Sequence, residues 1–201
     1  NEAHDVILGL ETSVESLLQN AANEIGDKTT EPARSYYLGK LSELQNQYDE
    51  AKAQGETDWN AFKSVEDPEG VKAKLEGLQG SIPALVNAAY ANEADHNAQL
   101  KALEGLDKFI EDIKVKIENK DLIPNDKQKY LDRINEADTT DALESDIKNS
   151  FAEGTSSINN DDLLAAIDNV RSAVKGIFDE LLNNYQKDVE DYNENFLGDK
   201  E

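Results

Sequence analysis

From Leu85 to Ile117 the chain places Leu85, Ala89, Asn92, His96, Gln99, Leu103, Leu106, Ile110, Ile113 and Ile117 in an unbroken alternation of four and three. A repeat of 3.5 residues keeps one face of a helix against its neighbours, and the two-residue period of a strand cannot accommodate it. Residues 84–120 contain no proline, and Gly105 is the only glycine among them. The pattern therefore predicts one helix over residues 84–120, on the order of 55 Å long at 1.5 Å per residue. That exceeds the diameter of a compact domain, so the helix is expected to be shared by two bundles. Asn92, His96 and Gln99 are polar at seam positions and are expected to mark where one bundle ends and the next begins.

The remainder of the chain carries the same helical spacing. Ile7, Leu10, Val14, Leu17 and Ala21 stripe a first helix, with Gly26 as its terminator. Thr29 and Thr30 are cap candidates for a second helix that opens at Glu31 and Pro32. Its stripe is Tyr37, Leu41, Leu44, Tyr48 and Ala51, ending near Gly55. Thr57 caps a short segment bearing Trp59, Phe62 and Val65, with Trp59 read as a core plug rather than a ligand-stacking ring. Asp67 and Pro68 restart a helix striped by Val71, Leu75 and Leu78 and closed by Gly80. After a loop at 120–126, Tyr130, Ile134 and Ala137 stripe a short helix. Thr139 or Thr140 caps the next, which carries Leu143, Ile147 and Phe151. Residues 154–160 read as a linker. A last helix, capped by Asn160 or Asp161, runs Leu163, Ile167, Val170, Val174, Ile177, Leu181. It then slips by one residue to Tyr185, Val189, Tyr192 and Phe196, as a four-residue insertion into a heptad pattern produces.

No run alternates β-branched or aromatic residues with polar ones, so the fold class is all-α. The expected architecture is elongated: tandem three-helix, spectrin-like bundles over residues 1–90 and 91–201, continuous through the central helix. A faint internal echo accompanies it. At an offset of 93, Leu10–Glu11 falls on Leu103–Glu104, Leu17 on Ile110, and Tyr37–Leu38 on Tyr130–Leu131.

Composition narrows function. Asp and Glu number 43 against 20 Lys and Arg, a net charge of −23, which repels phosphate backbones and anionic headgroups. The chain has no cysteine and hence no disulfide, thiol nucleophile or thiolate metal site. No apolar run reaches the eighteen or so residues of a membrane span. A chain that opens at Asn1 and contains no methionine is expected to be a mature form without its leader, or a segment of something longer. With cysteine absent as well, the expected location is extracellular or at the cell surface, with the periplasm as an alternative.

The stretch Tyr130, Leu131, Asp132, Arg133, Ile134, Asn135, Glu136, Ala137, Asp138, Thr139 follows a Tyr-x-x-x-Ile-Asn-x-Ala-x-Thr pattern, with an apolar helix before it and Leu143 after it. Residues 101–153 thereby resemble the three-helix GA and FIVAR modules of Gram-positive surface proteins. Lys129 stands where albumin binders of this type carry an aromatic or apolar residue, and Ile147 and Phe151 sit one residue late. The resemblance implies a helical surface module and leaves albumin open as a ligand. By position it carries over Tyr130, Leu131 and Asn135 as binding candidates, although the spacing turns Tyr130 toward the core.

Signs of catalysis are sparse. Glu93 and His96 form one Glu-x-x-His pair, whereas a di-iron bundle needs two such pairs and two further glutamates. Neither Asp161–Asp162 nor the acidic cluster at 138–141 supplies the alternating ligands of a calcium loop; both read as helix caps. No nucleophile elbow or phosphate-cradling glycine loop occurs. The sequence thus points to a non-catalytic, monomeric, adhesin-like helical module without metal or cofactor, which binds a host or cell-surface protein or spaces a binding head from the cell. The alternative is a secreted or periplasmic binding protein with a small-molecule pocket between the bundles, for which Asn92, His96 and Gln99 are the polar candidates.

Overall fold

The computed structural model describes residues 2–57 and 70–197; Trp59, Phe62, Val65, Asp67 and Pro68 lie outside the described residues. Among the described residues the chain is all-helical with no strand. Six α-helices follow in order: α1 (Glu2–Lys28), α2 (Ala33–Thr57), α3 (Val71–Glu118), α4 (Pro124–Ala137), α5 (Thr140–Ala152) and α6 (Asn160–Tyr192), the last continuing into a π-helical turn over Asn193–Leu197. They belong to two compact units. One comprises Asn1–Asn97 with Asn149–Ile158, the other Ala98–Lys148 with Asn159–Glu201. The division within α3 falls at Asn97, inside the polar interval of its seam. Residues 149–158, which the sequence reading put in the second bundle and in a linker, belong instead to the first unit.

In the first unit, the apolar faces of α1, α2 and the start of α3 close over one another. Val14, Ala21 and Ile25 of α1, Tyr37, Tyr48 and Ala51 of α2, and Val71, Leu75 and Ile82 of α3 are all buried. Leu10, Leu17 and Leu44 flank this core half-buried, and Phe151 of α5 completes it. Polar bonds lock the three helices in register. Gln79 donates to Ser13 at 3.0 Å, Tyr90 donates to Glu24 at 2.9 Å, and Tyr48 donates to Glu15. Gly26 does not end α1. The helix closes at Lys28, where the Thr29 hydroxyl donates to the Ile25 carbonyl at 2.6 Å and Arg34 grips the Thr29 carbonyl.

Gly80 and Pro83 also fail to break the helix: α3 starts at Val71 and runs through both for 48 residues. Proline in a helix interior loses one hydrogen bond and crowds the turn before it, at a cost of about 3 kcal/mol. Leu78, Ile82 and Val86 bracket Pro83 and are each buried, at about 1.5–3 kcal/mol apiece. Pro83 itself lies on the exposed face. Long-range burial outweighs the local penalty there.

In the second unit Leu106, Ile110, Ile113 and Ile117 of α3 pack with Tyr130 and Ile134 of α4, Leu143 and Ile147 of α5, and Leu163, Ile167 and Val174 of α6. Pro124 opens α4 at its first turn, where its missing N–H costs nothing. At the start of α5 the Asp138 carboxylate accepts from the Thr140 backbone N–H at 3.0 Å and from the Thr140 hydroxyl at 2.6 Å, and the Thr139 carbonyl accepts the first helical bond from Leu143. α6 starts at Asn160, and the Asn160 side chain accepts from Gln99 at 3.0 Å instead of capping its own helix.

The buried positions of the two units repeat. Val14, Leu18, Ala21 and Ile25 correspond to Leu106, Ile110, Ile113 and Ile117, each 92 residues on. Tyr37 and Leu41 correspond to Tyr130 and Ile134 at 93 residues. Val71, Leu75, Leu78 and Ile82 correspond to Leu163, Ile167, Val170 and Val174, again at 92. The match sets α1, α2 and the start of α3 against the later part of α3, α4 and α6, with a single-residue change of offset at the second pair of helices.

Glu104 is exposed between the buried Leu103 and Leu106, and Lys101 is exposed about one turn before it. Glu104→Pro is expected to cost about 3 kcal/mol or more, whereas Lys101→Ala changes stability by less than about 0.5 kcal/mol. Denaturant midpoints of the two variants against the parent chain check this.

Candidate functional site

The polar seam of α3 is where the sequence concentrates its unusual chemistry. Asn92 is 1% exposed and both ends of its carboxamide are engaged. Nδ2 donates to the Phe151 carbonyl at 3.3 Å, and Oδ1 accepts from the Ser156 backbone N–H at 2.9 Å. These bonds clamp the end of α5 and the following turn onto the first unit. Tyr37 adds a third tie by donating to the Gly154 carbonyl at 3.2 Å. Gly154 has a φ of +73°, a left-handed conformation that side chains resist, and a Cβ there would run into the Tyr36 ring. The segment read as a linker is instead a docked strap.

His96, one turn beyond Asn92, is 8% exposed and stacks face to face on Phe151, with ring centroids 3.8 Å apart and planes inclined by 10°. Its Nδ1 is buried without a hydrogen-bond partner. Burial pushes the imidazole below its ordinary pKa of 6.5, against the opposing pull of the Glu93 carboxylate. Glu93 accepts from the Thr30 hydroxyl at 2.5 Å through one oxygen. The histidine is thus packed as a neutral ring against an aromatic partner. Among the described residues no three His, Cys, Asp or Glu side chains gather as a metal site. In the second unit, Gln99 is fully buried and donates to Asn160.

The three binding candidates on α4 separate. Tyr130 is 6% exposed, and its hydroxyl accepts from Asn184 at 2.9 Å. Leu131 is half-buried and packs against the core of the second unit. Only Asn135 of the three is exposed. Tyr37 and Leu38 of α2 behave as Tyr130 and Leu131 do, one buried and the other packed at the core margin. The first unit thus uses the same Tyr-Leu pair in the same way. Around Asn135, exposed Asp132, Glu136 and Gln128 complete the outer face of α4.

Elsewhere the first unit has a groove of 510 Å³ between α2 and α3, lined by Gln47, Gln54, Lys74, Gly77, Leu78 and Ser81 among others. A shallower one of 430 Å³ lies between α1 and α2 beside Glu15, Tyr48 and Lys52. Tyr48 is held protonated well above the ordinary phenol range by burial and by its bond to Glu15. The Tyr48 bond in turn lowers the Glu15 carboxyl. That cluster ties two helices together and offers no activated nucleophile. The sequence reading missed both it and the strap, because each depends on partners dozens of residues apart. Comparison with protein-family models, with curated proteins and with solved structures finds no match.

Two outcomes are expected. Asn92→Leu leaves the Phe151 carbonyl and the Ser156 N–H without their partner, costing about 2 kcal/mol or more, and should expose the Ser156 amide to hydrogen exchange. For His96, the unfolded chain takes up a proton as the pH falls below 6.5 while the folded chain still resists it. Stability therefore declines from about pH 6.5 downward, until the folded imidazole also protonates. His96→Phe, which keeps the stack, should flatten that part of the stability–pH curve relative to the parent.

Proposed function

We propose that this chain is a non-catalytic helical module of a secreted or cell-surface protein, built as elongated tandem three-helix bundles sharing α3, which spaces and presents protein-binding surfaces. The observation that carries this reading is the repetition of the buried positions of α1, α2 and the start of α3 in the later part of α3, α4 and α6. Repeating one small core along a chain is how spacer arrays are made, since each unit brings its own stability and adds length. The resemblance of residues 101–153 to bacterial surface modules agrees with it. So does the use of the seam's polar groups: Asn92 and His96 hold a strap and Gln99 holds Asn160, so their chemistry serves the scaffold. No helix among the described residues is long and apolar enough to cross a membrane.

On this reading the outer face of α4 contacts a protein partner through Asn135 and its exposed neighbours, while Tyr130 and Ile134 carry stability. Two measurements test it. Small-angle scattering should give a radius of gyration well above the roughly 17 Å of a compact 201-residue domain; a value near that figure removes the elongated arrangement. In pull-downs from serum or extracellular matrix, Asn135→Arg should lose a partner that the parent recovers while melting at the same temperature. Recovery of the same partners by both chains clears α4 of the role, and turnover of a substrate by the purified chain overturns the non-catalytic assignment.

A further inference from the structure

The last helix outruns its own core. Leu181 is 1% exposed and is the last buried residue of α6. Over the next turn Asn184 reaches Tyr130, and Lys120 sits over the Tyr185 ring at 5.1 Å. Beyond this the apolar spacing continues at four and three, but Val189 is 43% exposed and Tyr192 57%. Every residue from Gln186 to Asn195 is exposed, yet the backbone stays α-helical to Tyr192. Ile123, in the turn just past Lys120, is 63% exposed and adds apolar surface near the same end of the unit. A helix carrying an apolar ladder this exposed to solvent has the form of one half of a helix–helix interface.

The charges around the ladder identify the other half. Asp188 lies directly beside Val189, and Glu190, Asp191 and Glu194 follow; Lys187 is the single cation from Gln186 to Asn195. A second copy of the chain would bring the same acidic segment, and −23 overall, against itself. We infer that the ladder Tyr185–Val189–Tyr192 docks an amphipathic helix of a partner protein, one with an apolar stripe at three- and four-residue spacing flanked by lysine or arginine. Apolar anchors supply the affinity, and the basic flanks supply approach and orientation. The inference rests on the protein-binding reading above but concerns a different surface from α4.

The test titrates the full chain with a synthetic helical peptide of Leu-striped, Lys-flanked heptads. The control peptide has the same charge, with serine in place of every leucine. The Leu-striped peptide should bind more tightly than the control. Val189→Asp should weaken it about tenfold or more although it adds an attractive negative charge, and Val189→Leu should retain it. Val189 is exposed, so both variants should melt with the parent. Equal affinity for the two peptides, or indifference to Val189→Asp, means charge attraction alone and overturns the proposal. Sedimentation revealing a dimer that Val189→Asp dissolves overturns it too, by making a second copy the occupant. If the ladder fails while Asn135→Arg still loses a serum partner, the protein-binding reading stands and this surface is excluded. If both fail, the broader reading falls with it.

Discussion

The stability of this molecule depends on α3 burying one face along nearly its whole length. Its residues from Val71 to Ala89 belong to one core, and those from Leu103 to Ile117 to another. Between them, Asn92, His96 and Gln99 keep the helical spacing and replace apolar contact with hydrogen bonds and a ring stack. A buried carboxamide is tolerated only when its donor and acceptor are both engaged. Asn92 meets that demand by capturing the strap at 150–156, so the backbone of the strap becomes part of what keeps α3 intact. Loss of either side strands polar groups in a dry interior, which makes helix and strap mutually dependent.

The same logic explains why the strap looks like a linker in sequence. Glycine, threonine, serine and asparagine satisfy their backbones locally and signal a turn, and the turn is indeed there. Its docking is written elsewhere: in Asn92, some sixty residues earlier, in Tyr37 on α2, and in the need for glycine at a left-handed position beside Tyr36. Helical spacing was legible because each position constrains its neighbours three and four residues away. Gly80 was misread as a helix end for the complementary reason. Local propensity nominates a boundary, while Leu78, Ile82 and Val86 on either side share a core that only the assembled unit reveals.

For the candidate surfaces the sequence was partly informative. Periodicity sends Tyr130 and Ile134 inward, and both are buried. It does not separate Leu131 from Asn135, because both lie on the flank of the α4 stripe and the path of the neighbouring helices decides which is covered. The end of α6 presents the opposite difficulty. The run Tyr185, Val189, Tyr192 resumes the apolar spacing after a slip of one residue, so the sequence reads it as part of the same helix stripe. The cover of the unit ends near Lys120 and Tyr185, and the ladder emerges into solvent.

Charge then acquires a role beyond solubility. The ion pairs seen are exposed, several are one helical turn apart, and pairs of that kind contribute little to stability. With 43 acidic groups against 20 basic ones, most carboxylates have no cation to pair with, and their mutual repulsion must be carried by the two apolar cores. A surface that costs stability in this way also disfavours self-association of the uncovered end of α6, which an equally apolar but neutral helix would invite. If the ladder docks a helix as inferred above, the acidity around it favours partners of opposite charge, and the apolar spacing selects among those partners for a helix.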